Sequence, residues 1–189
     1  MTLGERFETA LAFAANRHAE QRRKGTEIPY IAHLLSVCAL VLDAGGDEDE
    51  AIAALLHDAV EDQAATLEEV RANFGERVAG VVDECSDTDE EPKPEWLVRK
   101  QEYIARLPRM TRSAQLVTAA DKLHNAQAIA AELAERGESV WGKFNGGRDG
   151  TLWYYRSVAE GLTLTPASLL TALRRTVAEL ERSAGVGVR

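Results

Sequence analysis

The sequence predicts an all-α fold in one domain, and three observations support that fold class. Apolar residues recur every three to four positions through most of the chain, which is the spacing of one helix face. Several glycines and prolines fall between these periodic segments, where they end or begin helices. No alternating run of apolar and polar residues is long enough to require a sheet. We therefore expect a helical bundle that forms a single domain over residues 1–189.

The first two helices are defined by their apolar positions and by glycine. The first helix runs out at Gly25, and the second lies between Pro29 and the pair Gly45-Gly46. The apolar positions of these helices are Phe7, Leu11 and Ala14, and then Leu34, Val37, Val41 and Leu42. His18 and His33 share the same faces.

Capping signals mark the next helices. Asp47 with Glu50 has the spacing of a capping box, and Thr66 with Glu69 has the same spacing. Gly75 ends the helix that Thr66 begins, and a further helix follows through valines 78, 81 and 82. Residues 86–94 carry charges and prolines, which predict an exposed loop.

The sequence of the second half of the chain predicts four more helices. Trp96 opens one that Pro108 closes, and the next runs from Ser113 to about Arg136 with a break near Asn125. Residues 145–150 form a turn, and residues 153–155, an aromatic cluster, begin a helix. Thr165 and Pro166 are the N-cap and first residue of the last helix.

Composition and charge exclude several classes of protein. The hydrophobic fraction of 45% and the charged fraction of 28% are typical of a soluble globular protein. No apolar run approaches the ~20 residues that span a bilayer, and the N-terminus does not resemble a signal peptide. Cys38 and Cys85 lie in helical patterns without metal-type spacing, so we expect two reduced thiols and a cytoplasmic location.

A net charge of −9 argues against binding to nucleic acid, which depends on many cationic contacts to phosphate. An anionic substrate must therefore be met by local basic groups. The candidates are Arg22-Arg23-Lys24, Arg99-Lys100, and Lys122, Lys143 and Arg148. Each group alone is equally well explained as a solvated charged face.

The segment that ends in His57-Asp58-Ala59-Val60-Glu61-Asp62 is the strongest functional signal. On one helix Glu61 lies a turn beyond His57 and Asp62 lies a turn beyond Asp58, so all four side chains line one wall. Burying three carboxylates beside an imidazole requires a cation among them. His33 and Asp121 are further candidate ligands, and two imidazoles with two carboxylates suit a divalent ion such as Mn²⁺, Fe²⁺ or Zn²⁺.

Five segments together resemble the hydrolase domain of the RelA/SpoT family, within the HD-domain phosphohydrolases. They are residues 22–24, 29–33, 54–62, 74–75 and 120–125. The resemblance covers residues 5–165 and is strongest to the stand-alone, Mesh1-like small hydrolases. It implies an HD-domain bundle and Mn²⁺-dependent removal of the 3′-pyrophosphate from guanosine 3′,5′-bis(diphosphate) (ppGpp), which gives GDP and pyrophosphate.

The resemblance also implies a role for each matching residue. One divalent ion would be held by His33, His57, Asp58 and Asp121. Glu61 and Asp62 would position and deprotonate the attacking water, although an ordinary exposed helix end is the alternative for both. Arg23 and Lys24 would face the phosphates, and Tyr30 and Asn125 the nucleoside or its diphosphate.

Two segments depart from the family pattern and leave the substrate open. The acidic stretch over residues 87–95 and the glycine-rich stretch over residues 141–150 both lie where a substrate mouth is expected. One alternative is an HD-type phosphohydrolase that acts on another nucleotide, such as a nucleoside monophosphate or a dNTP. Another is a non-catalytic nucleotide-binding module.

Overall fold

A computed structural model of the chain describes residues 2–63, 65–87 and 94–185, except for the side chain of Asp62. These residues form α-helices joined by short connections, with one isolated β-bridge between Arg22 and Pro29. The helices are α1 (Glu5–Arg17), α2 (Ile31–Asp43), α3 (Glu48–Leu56), α4 (Ala59–Asp62), α5 (Leu67–Phe74), α6 (Glu76–Cys85), α7 (Trp96–Arg106), α8 (Arg112–Arg136), α9 (Gly147–Gly161) and α10 (Ala167–Ser183). Short 3₁₀ helices at Leu107–Arg109 and Gly137–Lys143 flank α8. None of the described helices has the length and apolar character needed to cross a bilayer.

The predicted capping box at the start of α3 is confirmed. The Asp47 carboxylate accepts the Glu50 N–H at 3.0 Å, and the Glu50 carboxylate accepts the Asp47 N–H at 2.9 Å. At the start of α5, Thr66 accepts the Glu69 N–H at 3.1 Å. The Glu69 carboxylate pairs with Arg17 instead of returning to Thr66, so Thr66 caps α5 without the full box.

Helix α1 is shorter than the sequence predicts. It ends at Arg17 rather than at Gly25, and residues 18–30 form a connection that the bridge between Arg22 and Pro29 closes into a narrow loop. This loop is held by backbone bonds from Arg23 N–H to Ile28 O at 2.8 Å and from Tyr30 N–H to Gln21 O at 3.0 Å. Arg23 and Lys24 therefore lie on a loop.

The predicted single helix through residues 57–62 is wrong. Helix α3 ends at Leu56, and α4 begins only at Ala59. Asp58 has φ −103° and ψ −2°, so the chain turns between the two helices. The buried side chains of the intervening residues pack at this turn instead of along a straight helix face.

Three boundaries in the second half also differ from the sequence predictions. Helix α8 is continuous over 25 residues, with no break at Asn125. Helix α9 begins at Gly147, earlier than the predicted start at the aromatic cluster. Pro166 occupies the N-cap of α10, and the Thr165 hydroxyl donates to the Gln115 carbonyl at 3.3 Å instead of capping the helix.

Helix α8 lies at the centre of the bundle. It packs against α2, α3, α6, α9 and α10, and every residue from Ala114 to Asp121 is buried. This arrangement places Asp121 beside the ends of α2 and α3. Most of the predicted loop over residues 86–94 lies outside the described residues, which stop at 87 and resume at 94.

Candidate active site

Four predicted metal ligands meet where α2, α8 and the α3–α4 turn come together. The Nε2 atom of His33 lies 3.2 Å from Asp121 Oδ1 and 3.7 Å from Asp58 Oδ2. The Nε2 atom of His57 lies 3.1 Å from Asp58 Oδ2 and 3.8 Å from Asp121 Oδ1. Donor atoms of His33, His57 and Asp58 all lie within 4.8 Å of one another. Asp121 is not part of that group of three, but its Oδ1 lies within 3.8 Å of both imidazole Nε2 atoms, so both carboxylates face both imidazoles.

The electrostatics of this cluster favour charged groups despite burial. Burial by itself raises the pKa of Asp58, but His57 and His33 hold that pKa well below the ordinary value. Burial has the same effect at Asp121, where Lys122, His33 and His57 hold the pKa well below the ordinary value. Burial opposes charge on His57 too, but the Asp58 and Asp121 carboxylates raise its pKa well above the ordinary value. Both carboxylates are therefore ionised at neutral pH.

The two histidines direct the same ring nitrogen into the cluster. The Nδ1 atom of His57 lies 2.8 Å from the Ala54 carbonyl, to which it donates, so Nε2 is the nitrogen that faces the carboxylates and that would bind a metal in place of its proton. The Nδ1 atom of His33 lies 2.8 Å from Nδ1 of His124. Burial, with His33 and Arg23, lowers the pKa of His124 to about 4, so a neutral His124 can accept the His33 Nδ1–H.

The Nε2 atoms of His33 and His57 are buried without a hydrogen-bond partner among the described residues. A buried imidazole nitrogen without a partner is unfavourable unless a further group binds it. Two such nitrogens facing two ionised carboxylates form a donor set that fits a divalent transition-metal ion. The residues present therefore fit the metal that the sequence predicts.

Two groups next to the cluster fix its carboxylates. The Tyr30 hydroxyl donates to Asp58 Oδ2 at 2.6 Å, and its ring stacks on His18 with 5.2 Å between the ring centroids. The Asn125 amide donates to Asp121 Oδ1. Hydrogen bonds of this kind orient metal-binding carboxylates. Tyr30 and Asn125 therefore contact the proposed ligands as well as the cavity described below.

Glu61 lies at the edge of the cluster, and it lines the same small cavity as His57 and Asp58. The Asp87 N–H donates to Glu61 Oε2 at 3.4 Å. Asp62, the other predicted catalytic residue, ends α4, but its side chain lies outside the described part of the structure.

A cavity of about 380 Å³ opens beside the cluster on the side of the 18–30 loop. Five of the predicted substrate-binding residues line it: Arg23, Lys24, Tyr30, Asn125 and Lys143. The Arg23 guanidinium donates to the Asn125 side-chain oxygen, which links the cavity to Asp121 through two consecutive hydrogen bonds. Lys143 contacts both Glu132 carboxylate oxygens at 2.6 and 2.7 Å, so much of its charge is already paired.

The structure does not bring Arg148 to these cavities. Its guanidinium contacts the Asp149 carboxylate at 2.8 Å and lies 3.9 Å from Glu138. Arg148 is exposed in the first turn of α9, because that helix begins earlier than the sequence predicts. The prediction that Arg148 binds substrate is therefore not supported by its position.

A second cavity, of about 230 Å³, lies between α7 and α9. Its walls are formed by Trp96, Phe144, Tyr154 and Tyr155, with Lys24, Arg99 and Lys100 as cations. Trp96 lies against the glycine-rich turn, where a Cβ at Gly146 would approach its ring to 2.5 Å. The Trp96 ring therefore leaves no room for a side chain at this position of the turn, which explains why it is glycine.

Sequence reasoning missed three contacts of the site. It did not find the Tyr30 to Asp58 hydrogen bond, the pairing of His124 with His33, or the position of Arg99 and Lys100 beside the cluster. The basic pair was visible in the sequence as a charged group. Its placement depends on contacts between segments far apart in the chain.

Comparisons with known proteins place this geometry in context. Residues 10–152 match the family model described as an HD domain. A guanosine-3′,5′-bis(diphosphate) 3′-pyrophosphohydrolase MESH1 from Xenopus tropicalis is 44% identical over 119 residues, which cover 61% of this chain and 65% of that protein. The human MESH1 is 42% identical over a segment with the same coverage. The aligned segment thus spans just under two thirds of these relatives.

Solved structures extend the similarity over more of the chain. A structure of a metazoan ortholog of SpoT that hydrolyses ppGpp matches with a TM-score of 0.80 at 30% identity, and the match covers 99% of both chains. A protein from Listeria monocytogenes matches with a TM-score of 0.69 at 29% identity, covering 81% of this chain and 99% of that protein. The helical bundle is therefore that of a known fold.

Proposed function

The chain belongs to the HD-domain family, and from this membership we propose that it is a metal-dependent hydrolase of ppGpp. The reaction removes the 3′-pyrophosphate and gives GDP and pyrophosphate. Relatives and a solved structure that carry this activity by name support the choice of substrate. A small nucleotide, rather than a nucleic acid, suits the net charge of −9 and the local basic groups.

One observation carries the proposal. The four-residue cluster, with two unpartnered imidazole nitrogens, adjoins a cavity whose cations reach the cluster through Arg23 and Asn125. A phosphorylated nucleoside in this cavity has its phosphate drawn toward the cluster. The arrangement therefore serves phosphoryl transfer to water better than binding alone.

His33, His57, Asp58 and Asp121 would hold the metal, which when bound lowers the pKa of water and neutralises phosphoryl oxygens. Glu61 is placed to take the proton from water as its oxygen attacks the proximal 3′ phosphorus. The ribose 3′ oxygen then leaves with the bonding electrons and is protonated, so the pyrophosphoryl group departs intact. Asp62 shares the task of Glu61 by its family resemblance.

Mn²⁺ is the ion that we propose. Two imidazoles and two carboxylates are a mixed donor set suited to a borderline divalent ion, and the family resemblance favours manganese among these ions. We also place the reaction in the cytoplasm, because both cysteines have free thiols, as expected in a reducing compartment. Burial raises the pKa of the Cys38 thiol to about 11, which makes it unreactive.

The test is a substrate panel with Mn²⁺-loaded protein, using chromatography that separates GDP, pyrophosphate, orthophosphate and tripolyphosphate. We expect ppGpp to give GDP and pyrophosphate in equal amounts, with no turnover of dNTPs or nucleoside monophosphates. The Asp58→Ala variant, prepared in the same way, controls for contaminating phosphatases. Tripolyphosphate from dNTPs, or orthophosphate from monophosphates, without turnover of ppGpp would instead identify another HD-type phosphohydrolase.

A further inference from the structure

A third cavity, of about 50 Å³, lies against the cluster on the side away from the 18–30 loop. It is lined by His57, Asp58 and Asp121, and it shares Glu61 and Lys100 with the 230 Å³ cavity. It is too small for a nucleobase or a ribose, so a small group is its natural occupant.

Two lysine ammonium groups converge on this small cavity. Lys122 Nζ lies 5.8 Å from the centroid of the Tyr154 ring, and Lys100 Nζ lies 4.9 Å from the same centroid. Burial and, after it, the charge of Lys122 lower the pKa of Lys100, as expected for two neighbouring cations. An anion between them relieves that repulsion.

Asp87 holds Lys100 in place. Lys100 Nζ donates to Asp87 Oδ2 at 2.7 Å, and Arg99 contacts the same oxygen. The Asp87 side chain is only 7% exposed, and its other oxygen is buried without a partner among the described residues. The Asp87 carboxylate thus bridges two cations, and the other carboxylates of this cavity, Asp58, Glu61 and Asp121, are those assigned to the metal and to the attacking water.

Asp121 stands between the nucleotide cavity and this small one. Its Oδ1 accepts from Asn125, which lines the 380 Å³ cavity. Its Oδ2 accepts from Lys122, which lines the 50 Å³ cavity. A nucleoside bound on the Asn125 side thus directs a phosphate chain past the cluster toward Lys122 and Lys100.

We infer that Lys100 and Lys122 form the binding site for the distal phosphate of the 3′-pyrophosphoryl group, and hence for the pyrophosphate product. The inference rests on the proposed function and adds a specificity determinant to it. Lys100 distinguishes substrates with a second 3′ phosphate from those without one, because it binds that phosphate. Asp87 is a positioning residue, because it holds the Lys100 ammonium in place. A substrate with a single 3′ phosphate leaves this site empty.

The first experiment compares kcat/KM for ppGpp and for guanosine 5′-diphosphate 3′-monophosphate. Lys100→Met keeps the apolar stem of the side chain but removes one charge-assisted contact to phosphate. It should lower kcat/KM for ppGpp by about tenfold or more, and by less than about twofold for the 3′-monophosphate. Lys100→Arg should recover part of the loss. Arg175→Gln, which removes an exposed positive charge on α10, should change neither value.

The second experiment measures pyrophosphate binding by calorimetry, with free Mn²⁺ held equal in cell and syringe. Lys100→Met should weaken pyrophosphate binding by about tenfold or more and leave GDP binding unchanged. A loss of GDP affinity instead would place Lys100 at the 5′-diphosphate. Equal losses of kcat/KM on both nucleotides, or unchanged pyrophosphate binding, would overturn the inference.

The two experiments separate the inference from the proposed function. If wild-type protein does not hydrolyse ppGpp but binds pyrophosphate through Lys100, the site stands and the proposed function fails. If wild-type protein hydrolyses ppGpp, and Lys100→Met matches wild type in both kcat/KM and pyrophosphate binding, the proposed function stands and the inference fails. Circular dichroism of each variant verifies that it is folded.

Discussion

His33 and His57 present Nε2 to the carboxylates because another group holds Nδ1 of each ring. For His57 that group is the Ala54 carbonyl in the last turn of α3, and for His33 it is His124, one turn beyond Asp121 on α8. A ring nitrogen fixed in this way keeps the other nitrogen available to a metal at a defined angle. His124 thus acts through His33.

His124→Phe tests this positioning role. The variant removes the acceptor of the His33 Nδ1–H, so we expect Mn²⁺ affinity to fall by about 10–100-fold. His124→Asn keeps an acceptor near the same position and should lose less affinity. Calorimetric titration of metal-free protein with Mn²⁺ measures both, and equal affinities for wild type and His124→Phe would show that His124 does not orient His33.

Glu61→Gln separates catalysis from metal binding. The amide fills the same space but cannot take a proton from water, so kcat should fall by about 10²–10⁴-fold while metal content is unchanged. Elemental analysis and steady-state kinetics on the same preparation provide the two readouts. Near wild-type turnover would remove Glu61 from the mechanism, and a loss of metal would make it a ligand.

Much of the site could be predicted from the types of residue in the sequence. The rest depends on contacts between residues that are far apart in the chain. The four proposed ligands were identifiable because buried histidines and aspartates need partners, wherever they lie in the fold. The hydrogen bond from Tyr30 to Asp58 joins residues on different elements, and no local pattern encodes it. The same limit explains Arg148, whose charge suggested phosphate binding although its position on α9 does not.

The α3–α4 turn is the element that the sequence analysis did not predict. His57 and Asp58 have backbone angles close to those of a helix, so apolar periodicity runs through the turn without a signal. The turn nevertheless separates Glu61 from the axis of α3 and lets it line the small cavity. By contrast, the two ends of α2 and the start of α3, which carry proline, glycine or capping signals, were predicted at the correct places.

The capping box of α3 makes the stability of this element depend on pH. Partial burial opposes ionisation of Asp47, but the Glu50 N–H and Arg77 lower its pKa below the ordinary value of 3.8. A lowered folded-state pKa means that the stabilisation is complete above the unfolded-state pKa and is lost as the pH falls through the folded-state pKa.

Asp47→Ala should therefore reduce the free energy of unfolding by about 1 kcal/mol at pH 7, whereas Asp47→Asn, which also caps, should lose only a few tenths. Urea unfolding from pH 7 to pH 3 measures the effect. The difference in the free energy of unfolding between wild type and Asp47→Asn should decrease as the pH falls below about 4. If the difference in the free energy of unfolding instead grew at low pH, the ionised Asp47 carboxylate would not be the stabilising form of the cap.

The whole molecule is organised around α8, and Gln115 ties that helix to two connections. Its side-chain nitrogen donates to the carbonyls of Leu107 and Met110 at 3.0 and 3.3 Å. Its side-chain oxygen accepts the N–H groups of Thr163 and Leu164, each at 2.8 Å. Gln115 is fully buried, and it shares the Leu107 carbonyl with the Met110 N–H, which donates to that carbonyl at 3.2 Å. The sequence showed only a polar residue in an apolar run.

Gln115→Leu should destabilise the whole fold without altering the site. The Met110 carbonyl and the N–H groups of Thr163 and Leu164 lose this partner, whereas the Leu107 carbonyl keeps the Met110 N–H. Relaxation recovers part of the loss, so we expect a decrease of about 2–4 kcal/mol in the free energy of unfolding. Urea denaturation measures this loss, and Mn²⁺ affinity of the folded variant should be unchanged. A change of less than about 0.5 kcal/mol would show that these connections do not depend on Gln115.

The central claim is that four residues from α2, the α3–α4 turn and α8 form one metal centre. Elemental analysis of protein dialysed after Mn²⁺ loading tests it most directly, with Asp58→Ala and Asp121→Ala as test variants and the exposed Asp83→Ala as control. We predict about one ion per chain for wild type and Asp83→Ala, and almost none for the two test variants. Full occupancy in both test variants, or full activity of a metal-free wild-type preparation, would contradict the claim.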